Sequence, residues 1–422
     1  MIKFFFHNDE PNEKQLETSR RLHIIENAIA AIIYSAATSN FLTGYLTQLG
    51  ASINLCAIVT MIPQLGCVLQ FFAPFWFERL KERKKSIWFC CLFFRLSVSL
   101  CFLAPIFISG ATAKLIVVIA LYFIGFMSAG FVTPGLTHLV LSVAPKAGNG
   151  RYFARRNIVS ACTCSIAMPI LGRTVDYFIS VDKGLYGYFI IGALCLILTI
   201  ADLAILGRVY EVPAKNTVKI RLKNVTLPFK DKNYRPFLAY NLIAGLTGGI
   251  AAPFLMIYQL YVLNLSHTFI TSAGVLASIV GIVGTWFWGR FSEHLTWAKM
   301  FMMTAGTNLF CTLMWAFVPI NSARVVAPII MLVTSACAGG AGIANMNLQY
   351  ESSPEDMKTT YIAITSGCAS ILSSFSATIG ASINSFIEPI FAEKSIPVLF
   401  LISGICGLIN LTINGRRLLK QR

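Results

Sequence analysis

Apolar residues run through this chain in long blocks, with polar residues gathered in short clusters between them. A helix of ~20 residues crosses the ~30 Å hydrocarbon layer of a bilayer, so an apolar run of at least ~18 residues with few charges is a transmembrane candidate. Twelve such runs stand out, at roughly 22–46, 53–76, 87–109, 113–141, 153–179, 185–207, 236–263, 267–289, 298–319, 324–349, 358–386 and 396–414. Lipid offers no partner to an unpaired backbone amide or carbonyl, which leaves helices and closed barrels as the only spanning structures. These runs are too long and alternate too weakly for barrel strands. The pattern therefore predicts an all-α membrane protein of twelve transmembrane helices.

The blocks repeat. Phe41, Tyr45, Ser52 and Phe77 match Phe254, Tyr258, Ser266 and Phe291, with 25 residues from the serine to the second phenylalanine in both copies. Pro145 is followed by Tyr152 and Gly172, and Pro354 by Tyr361 and Gly380. Two related bundles leave this kind of internal echo. The expected division is an N-terminal six-helix bundle over 1–207, a basic linker over 208–235 and a C-terminal six-helix bundle over 236–422.

Composition sharpens the picture: 56% of the 422 residues are hydrophobic and 12% charged, against roughly 25% charged in an average soluble domain. A net charge of +16 is compatible with a nucleic-acid partner by itself, but its placement argues for a bilayer instead. Basic residues cluster in alternate loops: Lys14, Arg20 and Arg21 before the first span, Arg79 to Lys85 after the second, Lys146 to Arg156 after the fourth, Arg208 to Arg235 centrally, and Arg416 to Arg422 at the end. By the positive-inside rule both termini and the central loop are cytoplasmic, which requires an even number of spans. The expectation is a monomer spanning the cell membrane many times, with lipid and a small-molecule substrate as partners and no nucleic acid.

No cofactor or metal is expected. The 12 cysteines lie in or beside the spans as small hydrophobes, and Cys162 and Cys164 lack C-x-x-C spacing. His7, His23, His138, His267 and His294 are scattered, with no metal or acid/base spacing.

The loop between the second and third spans reads Pro74-Phe-Trp-Phe-Glu78-Arg79-Leu-Lys-Glu-Arg83-Lys84, and the loop after the eighth reads Gly289-Arg-Phe-Ser-Glu293-His294. With the six-plus-six arrangement, these stretches resemble the Gly-x-x-x-Asp-Arg-x-Gly-Arg-Arg/Lys signature of the major facilitator superfamily. The first copy keeps the acid, the neighbouring arginine and the basic tail and loses both glycines; the second keeps the glycine and the acid. The resemblance implies two pseudo-symmetric six-helix bundles and secondary active transport by alternating access. An acid at a helix end gains ~0.3–1 kcal/mol against a neighbouring helix N-terminus. Glu78, Arg79, Arg83 and Glu293 are thus candidates for a conformational latch, the other reading being a topology-setting charge cluster at the headgroups. Sugar-porter and drug-antiporter signatures are absent or eroded, so no subfamily is assigned.

An ionisable side chain at the bilayer midplane costs ~2.5–3.5 kcal/mol on insertion scales, so each one inside a span is a site hypothesis. Glu26 on the first span, Arg95 on the third and Asp202 on the sixth fall at comparable depth, and Arg95 is within reach of either acid. If the third and sixth spans are peripheral, as the resemblance implies, Arg95 with Asp202 is the better structural pair and Glu26 is freer to titrate. Desolvation disfavours a charged carboxylate and a nearby guanidinium favours it, so alternating access to Arg95 would let Glu26 load and release a proton. A structural ion pair is the competing reading. His138 on the fourth span is a proton-relay candidate, against a packing role.

The resemblance also implies that the first, fourth, seventh and tenth spans line the substrate cavity. On the first, Tyr34, Thr38 and Tyr45 fall at i, i+4 and i+11 as one stripe, with Asn40 beside it. Asn241, Tyr258 and Gln259 stand on the seventh; Asn345 and Asn347 stand on the tenth, the latter aligned with His138 in the repeat. This neutral, hydrogen-bonding and aromatic set suits a neutral polar or amphipathic solute. Interhelical hydrogen bonds are the duller alternative for any one of them. No G-x-x-x-x-G-K-[ST] stretch is present, so the energy would come from a gradient. A non-transporting sensor and a membrane-embedded transferase are the alternatives on this fold. The latter needs clustered His, Asp or Cys at the membrane surface, and the former a larger tail than the short basic end at 415–422.

Overall fold

A computed structural model describes residues 11–38, 40–77, 80, 83–145, 149–211, 226–292, 294–354, 358–391 and 394–420. The first six spans are Glu13–Thr38 with Asn40–Gln48, Ile53–Gln70, Arg83–Leu103, Ala111–Val143, Asn149–Ser180 and Gly184–Arg208. The second six are Arg235–Ile257, His267–Phe291, Trp297–Trp315, Ala323–Ser352, Lys358–Phe391 and Ser395–Asn410. Among the described residues ten helices are long and apolar enough to cross a membrane, and the bent pair of the first span makes eleven. The ninth span, Trp297–Trp315, completes twelve; Lys299, Thr304, Thr307 and Asn308 leave it without an apolar stretch as long as those of the ten.

Observed ends fall within a few residues of the sequence expectation, except that the first helix begins at Glu13 rather than near 22. Asn12 explains the earlier start. Its Oδ1 accepts from the Gln15 amide at 2.9 Å while Gln15 Oε1 accepts from the Asn12 amide at 2.8 Å, a reciprocal cap that starts a helix in polar sequence.

Contacts divide the chain into two units, Met1–Ala51 with Leu65–Lys219, and Ser52–Gln64 with Ile220–Arg422. Within the first unit, the first span packs on the fifth and sixth, and the third on the fourth and sixth. Within the second, the seventh packs on the eleventh and twelfth, and the ninth on the tenth and twelfth. This is one pattern advanced by six helices. The opening turns of the second span, Ile53–Val59, pack on the seventh and eleventh spans inside the second unit, where Asn54 donates to Ser385 Oγ at 2.7 Å and accepts from Asn384 at 3.0 Å.

The repeat seen in the sequence has physical content. Tyr45 and Tyr258 are both buried, and each hydroxyl donates to a backbone carbonyl, of Phe102 at 3.3 Å and of Val318 at 3.5 Å. Tyr45 packs on Phe102 and Tyr188, Tyr258 on Trp315 and Phe400. Ser52 and Ser266 cap the second and eighth spans, each hydroxyl accepting from an amide three residues on, Leu55 or Phe269, at 3.2 Å. Close helix approach is set by glycine. A Cβ at Gly130 would overlap the Gly66 backbone, and one at Gly245 the Ala369 carbonyl. Exposed Phe107, Ile166, Trp286 and Phe386 give the apolar exterior that hydrocarbon requires.

Candidate functional site

Three helices of the first unit bring their ionisable residues together. His23 and Glu26 share one face of the first span at i, i+3, Arg95 and Ser99 lie one turn apart on the third, and Thr199 and Asp202 do so on the sixth. Arg95 Nη2 donates to Glu26 Oε1 at 2.7 Å, and Nη1 of the same guanidinium forms an ion pair with Asp202 Oδ2. His23 Nδ1 stands 3.7 Å from Glu26 Oε2. All four are buried, His23 at 0%, Glu26 at 1%, Arg95 at 2% and Asp202 at 0% exposure. Ser99 and Thr199 donate to the Arg95 carbonyl at 2.9 and 3.4 Å, fastening the third span to the sixth beneath the guanidinium.

The same two helices are also locked on the opposite side of the cluster, toward the start of the third span. Trp88 donates to the Leu203 carbonyl at 2.9 Å and Lys84 Nζ to the Gly207 carbonyl at 2.6 Å. Both carboxylate oxygens of Glu211 accept backbone amides at the start of the third span, from Arg83 at 3.0 Å and Lys84 at 3.1 Å. Glu211 thus supplies the anion that a helix N-terminus favours.

A buried ion pair repays its desolvation only with good geometry and further hydrogen bonds. Here one guanidinium faces two carboxylates. Arg20, on the face of the first span one turn before His23, is turned away to Glu13 and the Val143 carbonyl, both at 2.8 Å. His23 Nε2 and Asp202 Oδ1 have no hydrogen-bond partner among the described residues. The cluster is therefore a place where one proton changes the charge balance.

Glu26 and Asp202, offered by the sequence as alternative partners of Arg95, are both held by it. His23 corrects the reading of the histidines as lacking acid/base spacing, since it neighbours Glu26 in space as well as at i, i+3. Its signal was present in the sequence.

The candidate substrate residues separate into two groups. Tyr34 and Thr38 are exposed, with Tyr34 edge-on to Phe126 at 5.8 Å and Thr38 donating to the Tyr34 carbonyl at 2.8 Å. Asn40 and Tyr45 are buried. One continuous stripe is not formed, because the helix bends by 43° between Thr38 and Asn40; Tyr122 donates to the Ala37 carbonyl at 3.2 Å beside the break. On the seventh span Asn241 is half-buried and donates to the Phe237 carbonyl at 3.0 Å. Gln259 is buried, with its amide nitrogen 3.9 Å from Met331 Sδ. Asn347 donates to the Ile343 carbonyl at 2.9 Å, and Asn345 Oδ1 and Gln259 Oε1 have no hydrogen-bond partner among the described residues. The His138 side chain, Glu78, Arg79 and Glu293 lie outside the described residues; Arg83 is buried at the Glu211 cap.

The second unit carries no copy of the charge cluster at the matching place. At the offset that maps Phe102 onto Trp315, Arg95 maps onto Asn308; at the offset that maps Tyr188 onto Phe400, Asp202 maps onto Asn414. Asn414 donates to Asn410 Oδ1 at 2.8 Å and Asn410 to the Tyr240 carbonyl at 3.0 Å. Amides join the helices there, and the ionisable layer belongs to the first unit.

Among solved structures, a bacterial homologue of the iron transporter ferroportin in its inward-facing state aligns at TM-score 0.71 and 12% identity, covering 97% of this chain and 99% of that one. The nucleoside transporter NupG aligns at TM-score 0.70 and 11% identity, covering 95% and 98%. A D-xylose-proton symporter aligns at 0.67 and 11%, covering 95% and 96%. At such identities the likeness shows the fold alone. Sequence comparison with curated proteins gives no match. The sequence profile of the Major Facilitator Superfamily matches residues 24–377. On that match and this fold, the chain is a multi-pass membrane protein belonging to the major facilitator superfamily of transporters.

Proposed function

We propose that the protein is a secondary active transporter that moves a small neutral polar or amphipathic solute by alternating access, with proton coupling through the buried cluster of the first bundle. The observation that carries this reading is the stoichiometry of the cluster: one guanidinium for two carboxylates, all nearly excluded from solvent. An unbalanced charge in low dielectric is expensive, and a proton on Glu26 or on His23 offsets it. Arg95 and Asp202 sit on the firmly joined third and sixth spans, so Glu26 on the first span is the carboxylate whose contact with the guanidinium changes as helices shift. Exposed Tyr34 and Thr38, with Asn241, Asn345 and Asn347, are the proposed solute ligands. Asn345 and Gln259 each keep an unengaged carbonyl oxygen, and neutral amides suit a neutral solute.

The basic clusters support both termini facing the cytoplasm and a cytoplasmic tether over residues 208–235, with the protein acting as a monomer in the cell membrane. Two solved neighbours, a nucleoside transporter and a D-xylose-proton symporter, supply neutral hydroxylated solutes with which to begin a panel. Purified protein in liposomes tests the reading. A panel of nucleosides, pentoses and hexoses should contain at least one solute that accumulates along an imposed proton gradient and leaks when an uncoupler is added. A flat response across the panel, with the protein intact and oriented, would remove it.

A further inference from the structure

The start of the seventh span and the end of the twelfth lie at the same end of the second bundle, and a basic cavity opens between them. Its volume is about 550 Å³, within the ~300–1,000 Å³ usual for small-molecule sites. Lys232, Arg235 and Arg417 line it together with Phe229, Leu238 and Leu242. Arg416 and Arg417 also line a second cavity of about 300 Å³ alongside. None of Lys232, Arg235 and Arg417 has a carboxylate partner among the described residues. The nearest acid in sequence, Asp231, is turned into the fold. Its Oδ1 accepts the amides of Asn233 and Tyr234 at 2.9 and 3.4 Å, and its Oδ2 accepts the Tyr361 hydroxyl at 3.2 Å. Three cations without a carboxylate partner among the described residues therefore share a cavity with apolar side chains, at the start of the Arg235–Ile257 span.

A cavity of similar volume in the first bundle, between the start of the first span and the start of the fifth, makes the contrast. Arg20, Arg21 and Arg155 line it together with Glu17, and Arg21 is paired to Glu17 at 2.6 Å and Arg20 to Glu13 at 2.8 Å. Two of its cations are thus already answered by acids from the protein. The cavity of the second bundle asks for an anion from outside.

We propose that this cavity binds the headgroup of an anionic phospholipid, with the phosphate held by Lys232, Arg235 and Arg417 and the start of an acyl chain lying along Leu238 and Leu242. Basic pockets between spans at the membrane surface suit such headgroups. Guanidinium forks meet phosphate oxygens in pairs, and the apolar wall has no use for a free inorganic ion. The site would tie the mouth of the seventh span to the closing helix Arg416–Lys420 through lipid. It stands apart from the proposed solute and proton chemistry and does not depend on either.

Full-length protein, stripped of lipid in a neutral detergent, tests the assignment by thermal stability and by native mass spectrometry. Phosphatidylglycerol should raise the melting temperature and remain bound, phosphatidylcholine should do so far less, and inorganic phosphate or glycerol phosphate should not substitute. Each cation near a headgroup is worth about a fivefold change in affinity, so Lys232→Gln, Arg235→Gln and Arg417→Gln together should weaken phosphatidylglycerol roughly a hundredfold. Lys183→Gln, at an exposed position immediately before the sixth span Gly184–Arg208, should behave like the wild type. Equal binding of the two lipids by the wild type overturns the proposal, as does stabilisation by phosphate alone, or a folded triple variant that keeps its preference. The lipid comparison needs only the wild-type chain, so a triple variant that fails to fold leaves the test intact.

Discussion

Arg95 on the third span donates a 2.7 Å hydrogen bond to Glu26 on the first, while its other terminal nitrogen is committed to Asp202 on the sixth. One cation thereby joins three helices of the first bundle. Removing it leaves two carboxylates buried without a counter-charge, and breaking a buried pair in this way costs ~3–5 kcal/mol.

Arg95→Met should therefore lower thermal stability sharply. Adding Glu26→Gln and Asp202→Asn to the same chain should restore much of the loss, because the stranded charges are then gone. Scanning fluorimetry of the single and triple variants decides it. A triple variant no more stable than the single one would show that the loss came from packing rather than charge.

Tyr45→Phe and Tyr258→Phe each remove a hydroxyl that bonds to a backbone carbonyl within its own unit. Such interhelical bonds average ~0.6 kcal/mol, and the two losses should add to within ~0.5 kcal/mol because the sites share no partner. Transport KM should stay unchanged in both. Tyr34→Ala, at an exposed position, should raise KM with little change in stability. Saturation kinetics and melting curves on the same preparations separate core tyrosines from solute ligands.

Gly130→Leu and Gly245→Leu place side chains where the backbones of Gly66 and Ala369 already sit. Overpacking of this kind costs ~1–3 kcal/mol or more. Both variants should lose folded yield, whereas Gly248→Leu on the same seventh span, with nothing near its Cβ direction, should not. Size-exclusion profiles after expression give the answer.

Ser52→Ala and Ser266→Ala remove the caps at equivalent places in the repeat, at ~0.5–2 kcal/mol each. The second and eighth spans should both fray at their first turn, read as faster amide exchange at Leu55 and Phe269. Protection equal to wild type at either position would mean that the hydroxyl bond contributes nothing there.

Much of this architecture was legible in the sequence, for a physical reason: hydrocarbon demands long apolar helices, and those leave unmistakable runs. The spacing of Tyr45 and Ser52 against Tyr258 and Ser266 was legible too, since core tyrosines and N-caps are tied to helix registers that both halves share. Harder to see was the first helix before residue 22, where Asn12 and Gln15 cap a polar stretch that carries no apolar signal. The Tyr34, Thr38 and Tyr45 stripe misled because a periodicity argument assumes an unbroken helix, and this one bends before Asn40. Depth counting brought Glu26, Arg95 and Asp202 to one layer. It did not predict that a single guanidinium would reach both acids, because that depends on how the first span leans on the sixth. His23 carries no metal-ligand spacing, and its place one turn before Glu26 is the signal that pairs the two in space.

The proton coupling proposed for the first bundle turns on the carboxylate of Glu26 changing its contact with Arg95 during transport. The most direct test compares wild type with Glu26→Gln in proteoliposomes, measuring both gradient-driven accumulation of a transported solute and its exchange without a gradient, across pH 5 to 8. Wild type should accumulate solute along the proton gradient with a pH-dependent rate. Glu26→Gln should keep exchange, lose accumulation and show a flat pH profile. A Glu26→Gln protein that accumulates solute like the wild type, with the same pH dependence, would contradict the account.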